Sequence, residues 1–442
     1  MTRSPSQMAE TLSGLGRLTE LRQRLLFVVV ALIIYRIGTF IPVPGVNPQA
    51  LLQFMNSQQG TIVDVFNLFT GGALERFSLF ALGVMPYISA SIIMQLMSSA
   101  IPQLSQLKKE GSSGRQKITQ YTRNFTVILA GIQAGGVAFA LQGQSSVVMQ
   151  PGFGFLFTAM VTLTAGTVFL MWLGEQITAR GVGNGISLII FAGIVANLPG
   201  TIVQTLELSR TGALPTIAVV GLLVLAIVVI AVIVFFERAQ RRLLIQYPKR
   251  QVGNKMFQGD TSHLPLKLNT AGVIPVIFGS SLLLLPATIA SFAAQGDAPQ
   301  WLSVVSALLG RGQPLYLILF ATFIIFFAFF YTAIVFNPSD TADNLKKSGG
   351  FIPGIRPGER TASHIDYVLT RITVAGALYL TVVALIPEVL VSQLNVSQFI
   401  GGTSLLIMVT VTLDTISQIQ SHLIAQQYEG LVKRSRLGGK RR

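Results

Sequence analysis

The sequence predicts an all-α polytopic membrane protein with ten transmembrane helices. Three observations carry that reading. Ten long apolar stretches run along the 442 residues, near 24–41, 77–99, 124–141, 153–175, 185–206, 214–236, 270–292, 314–336, 368–387 and 401–420. A hydrocarbon core about 30 Å thick needs roughly 20 mostly apolar residues per spanning helix. Second, 28 of the 32 lysines and arginines lie ahead of or at the start of the first stretch, after the last, or in or at the border of every second gap between. Third, 51% of the residues are apolar and only 11% are charged, against about 25% charged in a soluble chain.

The first stretch follows Arg3, Arg17, Arg22 and Arg24. Basic residues ahead of Leu25–Ile34 imitate a signal peptide. No small-x-small cleavage site follows, so the stretch reads as an uncleaved span. Residues 10–22 read as a short amphipathic helix on the membrane surface, and 1–23 as a cytoplasmic N-terminal segment. Between the first two spans, Thr61–Thr70 reads TIVDVFNLFT, apolar yet too short to cross a bilayer. Gly71 and Gly72 follow, a pair with wide backbone freedom. The residues alone leave two readings open there. One is a helix lying on the outer leaflet. The other is a short helix folded back into the protein and able to move on a glycine hinge.

The gap after the second span carries Lys108, Lys109, Arg115, Lys117 and Arg123. After the fourth span, GVGNGIS (181–187) invites a nucleotide-loop reading. It follows a spanning helix rather than a β-strand, and no GxxxxGK[ST] occurs, so that context fails. The glycines instead predict close helix packing at the start of the fifth span.

Two gaps are long and basic. Residues 237–269 hold Arg238, Arg241, Arg242, Lys249, Arg250, Lys255 and Lys267; residues 337–367 hold Lys346, Lys347, Arg356 and Arg360. Loops of that length exceed ordinary connections. Pro338, Gly349-Gly350, Pro353-Gly354 and Pro357-Gly358 predict fixed turns in the second, with Arg356 between two of them. Both loops are expected to form a docking surface for a partner. With the basic tail 421–442, the charge distribution places both termini in the cytoplasm. Ten spans also suggest two five-helix halves, 24–206 and 207–420, as in transport proteins built from inverted repeats. No sequence identity between the halves is visible.

Other chemistry is missing from the sequence. There is no cysteine, and three scattered histidines show no ligand spacing, so neither a disulfide nor a metal site is expected. The ionisable residues within spans are Arg36, Glu175, Glu388 and Asp414, with no carboxylate pair among them. A ten-span secondary transporter of small solutes is therefore the alternative rather than the main reading. A receptor or scaffold fits the basic loops but not the glycine-hinged segment. No cofactor and no catalytic activity are expected, so energy for directed transport must come from elsewhere.

Longer motifs carry a resemblance. They include FNLFTGGALERFSLFALGVMPYISASIIMQL (66–96), KKEG (108–111), MWLGEQIT (171–178), GVGNGIS (181–187) and ERAQRR (237–242). They continue with HLPLKLN (263–269), AGVIPVIF (271–278), FFYTAIVFNP (329–338), ADNLKKSGGFIPGIRPGE (342–359) and GGTSLLI (401–407). In these the chain resembles the SecY family, channel subunits of the bacterial Sec protein translocase.

The resemblance implies two pseudo-symmetric five-helix halves around a central pore, closed by a ring of aliphatic side chains. Carried onto the matching motifs, the ring is Val84, Ile88, Ile186, Ile190, Ile277 and Ile407. Valine at 84 is smaller than the isoleucine often found there, which implies a slightly looser seal. The family's plug falls on 61–72, through Ile62, Val63, Val65, Phe66, Asn67, Leu68, Phe69, Gly71 and Gly72. A lateral gate to lipid falls on Met85–Met97 and Gly272–Ile289, with Ser89, Ser91, Gln95, Ile274 and Ser281 on it. The polar side chains Ser89, Ser91 and Gln95 are expected to weaken the closed gate. The implied partners are the small membrane subunits SecE and SecG, the motor ATPase SecA, the ribosome, the bilayer, and an unfolded secretory or membrane polypeptide bearing a signal peptide. Docking of the cytoplasmic partners is implied at Arg356, Lys255, Arg250, Lys346 and Lys347. The implied location is the bacterial cytoplasmic membrane.

Overall fold

The computed structural model describes residues 19–57, 66–67, 69–143, 146–212, 215–248, 250–252, 255–257, 261–293, 304, 308, 312–394 and 401–438. Each of the ten apolar stretches carries a helix. The first half of the chain holds α1 (Thr19–Gly38), α2 (Pro48–Ser57), α3 (Met85–Ala100), α4 (Pro102–Lys109), α5 (Ser112–Gln142), α6 (Phe153–Arg180) and α7 (Gly185–Arg210). The second holds α8 (Thr216–Arg238), α9 (Ile274–Ala293), α10 (Pro314–Val335), α11 (Pro338–Lys347), α12 (Glu359–Leu394) and α13 (Gly402–Gly438). Among the described residues, seven helices are long and apolar enough to cross a membrane by length and composition. The chain is an all-α polytopic membrane protein.

Helix α8 shows where the apolar surface goes. It is the most apolar of the seven and the least enclosed by the rest of the chain. Ile217, Leu223, Val224, Ile227, Val228 and Phe235 are all more than half exposed. In water so much apolar area would be prohibitive; in lipid it costs nothing.

The second apolar stretch departs from a plain span. Residues 77–84 are turns, and the helix starts at Met85. Phe77 has φ 44° and Gly83 has φ 57°, both left-handed. Such residues cannot sit inside a right-handed helix, and Pro86 fits the first turn that follows.

Contacts divide the chain into two compact units: Met1–Gln204 with Pro286–Ser306 and Val411–Arg442, and Thr205–Leu285 with Ala307–Thr410. In the first, α5 packs along α6 and α3, and α1 packs on α6. Arg123 on α5 pairs with Glu175 on α6 at 2.7 Å, which accounts for a charge read at a span end. A Cβ on Gly185 would overlap the Gly174 carbonyl, so the glycines of 181–187 do let α7 close onto α6. In the second unit, α12 is the central rod. It carries α10, α8 and α11 against its sides.

The two long basic gaps fold together, both within the second unit. Residues 237–269 form two antiparallel ladders, not turn-rich loop. Strand β1 (Gln240–Gln246) pairs with β4 (Thr261–Lys267), and β2 (Arg250–Val252) with β3 (Lys255–Phe257). Along β1, Leu243 and Ile245 point inward while Arg242 and Leu244 stay exposed, the period of two that a half-buried strand requires. Gln246 exchanges backbone hydrogen bonds with Phe351 of the second gap, at 2.9 Å each way. Leu243, Ile245, Leu266, Leu345, Ile352 and Ile365 then make one shared apolar core.

Candidate functional site

The segment after α2 turns back into the first unit. Phe66 and Phe69 are 8% and 4% exposed, and Ala73, Leu74 and Phe77 are essentially sealed. Thr70 N–H donates to Phe66 O at 3.1 Å, which closes a helical turn. Asn67 holds that turn to the chain beyond it. Its Oδ1 accepts from Glu75 N–H at 3.0 Å, its Nδ2 donates to Glu75 Oε2 at 3.3 Å, and its carbonyl accepts from Gly72 N–H at 3.0 Å. Gly71 and Gly72 are both left-handed, with φ 70° and 80°. Ile62, Val63, Val65 and Leu68 lie outside the described residues.

This root touches the two places where ring residues of the first unit are expected. Thr70 Cγ2 would lie 3.0 Å from a Cβ on Gly83, the residue before Val84. Gly71 meets Gly193, one helical turn beyond Ile190 on α7; a Cβ on Gly71 would sit 3.0 Å from Gly193 Cα. Val84, Ile88 and Ile190 are 4%, 4% and 2% exposed. Ile186 is half-buried, and its Cδ1 occupies the space beside Gly174 on α6. In the second unit, Ile277 on α9 and Ile407 on α13 are 5% and 0% exposed.

The start of α7, which carries Ile186 and Ile190, is held by side chains. Gly183 N–H donates to Gln418 Oε1 on α13 at 2.8 Å, and Gly185 N–H to Thr178 Oγ1 at 2.9 Å. Asn184 Oδ1 accepts from Ile186 N–H at 3.1 Å and Ser187 N–H at 3.4 Å. These bonds satisfy donors that a helix start leaves without intrahelical partners.

The expected gate residues spend their polarity on their own helices. Gln95 Nε2 donates to Ser91 Oγ at 3.1 Å on α3, and Ser281 Oγ donates to Ile277 O at 2.7 Å on α9. Ser89 is buried, and Ile274 is half-buried. On the platform formed by the two long basic gaps, Arg356, Lys346 and Lys347 are exposed. Arg356 sits between Gly354 and Gly358, with φ 81° and 109°. Its carbonyl accepts from Thr361 Oγ1 at 3.0 Å, which fixes the turn beneath it. Arg250 and Lys255 lie on strands β2 and β3, and their side chains lie outside the description.

Comparison with known proteins meets this geometry. A family model described as SecY matches residues 78–416. The chain is 56% identical over 424 residues to the protein translocase subunit SecY of Pseudomonas aeruginosa, covering 96% of each. The chain belongs to the SecY family. It is also 54% identical over 430 residues to the Escherichia coli K12 subunit of the same name, covering 97% of each. Among solved structures it resembles a protein conducting channel, with TM-score 0.68, 19% identity, and 92% and 93% of the two chains covered. It also resembles Sec61 of a canine ribosome–channel complex, with TM-score 0.65, 18% identity and the same coverage. These two likenesses bear on the fold.

Several contacts in this SecY-family chain escaped the residue-level reading. Arg36 reads in the sequence only as an ionisable residue within the first span. Its Nη1 instead donates to Gly71 O at 2.8 Å. Tyr35, 2% exposed, donates from its hydroxyl to Thr70 O at 3.0 Å. Gly193 carried no signal beyond being a glycine in a span.

Proposed function

We propose that this chain is the central subunit of a protein-conducting channel in the bacterial cytoplasmic membrane. It moves unfolded secretory polypeptides across the bilayer and releases transmembrane segments sideways into lipid. The observation that carries the reading is the buried plug root, seated beside Val84 and one turn from Ile190. The relatives named as translocase subunits favour it over a solute transporter.

Val84, Ile88, Ile186, Ile190, Ile277 and Ile407 form the constriction. A narrow aliphatic collar expels water and so blocks ions when vacant. It yields around a passing chain because apolar contact is non-directional. Residues 61–72 are the plug. Met85–Met97 and Gly272–Ile289 part towards lipid. Each Leu or Ile gains about 0.5 kcal/mol at mid-bilayer, while each Arg or Lys costs about 3 kcal/mol, so ten leucines leave sideways and charged segments pass through.

The domains are the N-terminal segment 1–23, halves 24–206 and 207–420, and the tail 421–442, with both termini cytoplasmic. The chain has no catalytic chemistry of its own. SecA supplies the drive, SecE and SecG complete the membrane assembly, and the ribosome docks for synthesis-coupled insertion. Arg356, Lys346, Lys347, Arg250 and Lys255 meet these cytoplasmic partners. Exposed arginine and lysine suit both RNA phosphates and acidic protein surfaces.

The test uses a chain free of native cysteine. A single cysteine at 84, 88, 186 or 190 is paired with a secretory polypeptide arrested mid-transit and carrying its own cysteine. Crosslinks are expected at all four positions and not at lipid-facing Ile227. Equal crosslinking at Ile227, or none at the four, refutes the pore assignment.

A further inference from the structure

Two side chains on α1 hold the plug root by its main chain. Tyr35 Oη donates to Thr70 O at 3.0 Å, and Arg36 Nη1 donates to Gly71 O at 2.8 Å. Both donors are themselves held. The Tyr35 ring stacks on Phe80 at 6.1 Å, and Phe80 stacks on Phe169 of α6 at 5.8 Å. The Arg36 guanidinium lies over Phe40 at 4.8 Å. Helix α7 closes on the same stretch without a side chain between. A Cβ on Gly193 would lie 2.9 Å from Phe69 O and 3.2 Å from Gly71 N. Three successive residues, Phe69 to Gly71, therefore have their backbone held by α1 or closely approached by α7.

A flexible hinge needs backbone dihedrals free to turn. Here the glycine pair is left-handed and its neighbouring carbonyls are spent on α1. The glycines serve a tight path and a close approach rather than motion.

We infer that Tyr35 and Arg36 are positioning residues that anchor the plug root in its closed seat, where Gly71-Gly72 is held rather than free to turn. The inference rests on the channel reading above. The anchor biases the resting channel towards closure because its two hydrogen bonds exist only with the root docked. Loss of one neutral buried bond weakens docking roughly fivefold; loss of one made by a charged donor weakens it roughly tenfold or more.

The experiment uses the complete translocase in phosphatidylethanolamine–phosphatidylglycerol vesicles, reading chloride efflux without substrate, export of a secretory protein, and the thermal midpoint. Tyr35→Phe keeps the ring and its stack and removes only the donor. It is expected to raise resting efflux about fivefold. Arg36→Met raises it further, and Arg36→Lys, which keeps a charged donor, falls between Met and wild type. Ile365→Ala, in the platform core where the side chain is 0% exposed, leaves both donors and their aromatic stack intact, so its thermal midpoint falls while efflux stays at the wild-type level.

The inference is overturned if Tyr35→Phe seals like wild type, or if Ile365→Ala leaks as much as Tyr35→Phe. Should Arg36→Met fail to fold, Tyr35→Phe decides alone. Failure of the wild type to export would overturn the channel reading instead, so the two failures are distinct.

Discussion

Gly193→Ala puts the close approach of α7 to the plug root under direct strain. The added Cβ would sit 2.9 Å from Phe69 O, 3.0 Å from Tyr35 Oη and 3.2 Å from Gly71 N. Two of these neighbours are main chain, and the third belongs to a side chain only 2% exposed. No rotamer change relieves such contacts, so either α7 or the root must shift. Overpacking of this kind costs about 1–3 kcal/mol. Alanine is the better helix former in a helix interior by about 0.5–1 kcal/mol, which offsets part of that. A net cost of about 1–2 kcal/mol falls on the docked root, or roughly 5–30-fold in its equilibrium. Gly200 on the same helix is the matched control, because a Cβ there meets nothing within 4 Å. Resting ion efflux from reconstituted vesicles reads the first effect, and the thermal midpoint in detergent reads helix propensity. Gly193→Ala is expected to leak, and Gly200→Ala to seal and be as stable as wild type or more so. If the two variants match in both measurements, the glycine contact is not what seats the root.

Ile365→Ala empties the centre of the platform core, where the side chain is 0% exposed. At about 2–5 kcal/mol for such a cavity, trypsin is expected to cut within 237–269 and 337–367 while the spanning helices stay protected; an unchanged digest would argue against a shared core. Gln418→Leu removes the acceptor for Gly183 N–H at the start of α7. It is expected to cost about 1 kcal/mol in thermal stability, with Gln418→Glu recovering it because the acceptor is restored; equal loss in both variants would remove the capping role.

The ten apolar stretches were legible because lipid leaves a long, strong mark on composition. Helices α5 to α8 fall where the hydropathy places them. Contacts between distant segments leave no such mark. The platform core joins Leu243 and Leu266 to Leu345 and Ile365, residues separated by up to about 120 positions. Charge and turn residues in the two gaps predict exposure, and the sparse apolar residues that make the core are lost among them. The same holds for the start of α3. Nothing in the identity of Phe77 announces its left-handed backbone, which its surroundings impose. The polarity of Ser91 and Gln95 was visible, but not that the two bond to each other along α3.

The anchor was invisible for a more specific reason, and the same reason bears on how it works. Tyr35 and Arg36 bond to carbonyl oxygens, and every residue type supplies the same carbonyl. No pattern at 70 or 71 can reveal such an acceptor; only the donors and the glycine geometry leave a trace. A root held in this way does not depend on which side chains the plug carries. Substitutions at Phe66 or Phe69 change how well the plug packs, whereas loss of either donor, or of the Gly71–Gly193 approach, changes where it is tied. The seal and its attachment are therefore separable in this fold. On the proposed channel reading the seal rests on apolar burial around Val84, Ile88 and Ile190, and the attachment on two hydrogen bonds from a single turn of α1. On that reading opening for a polypeptide breaks both, which is why loss of either donor is expected to leak.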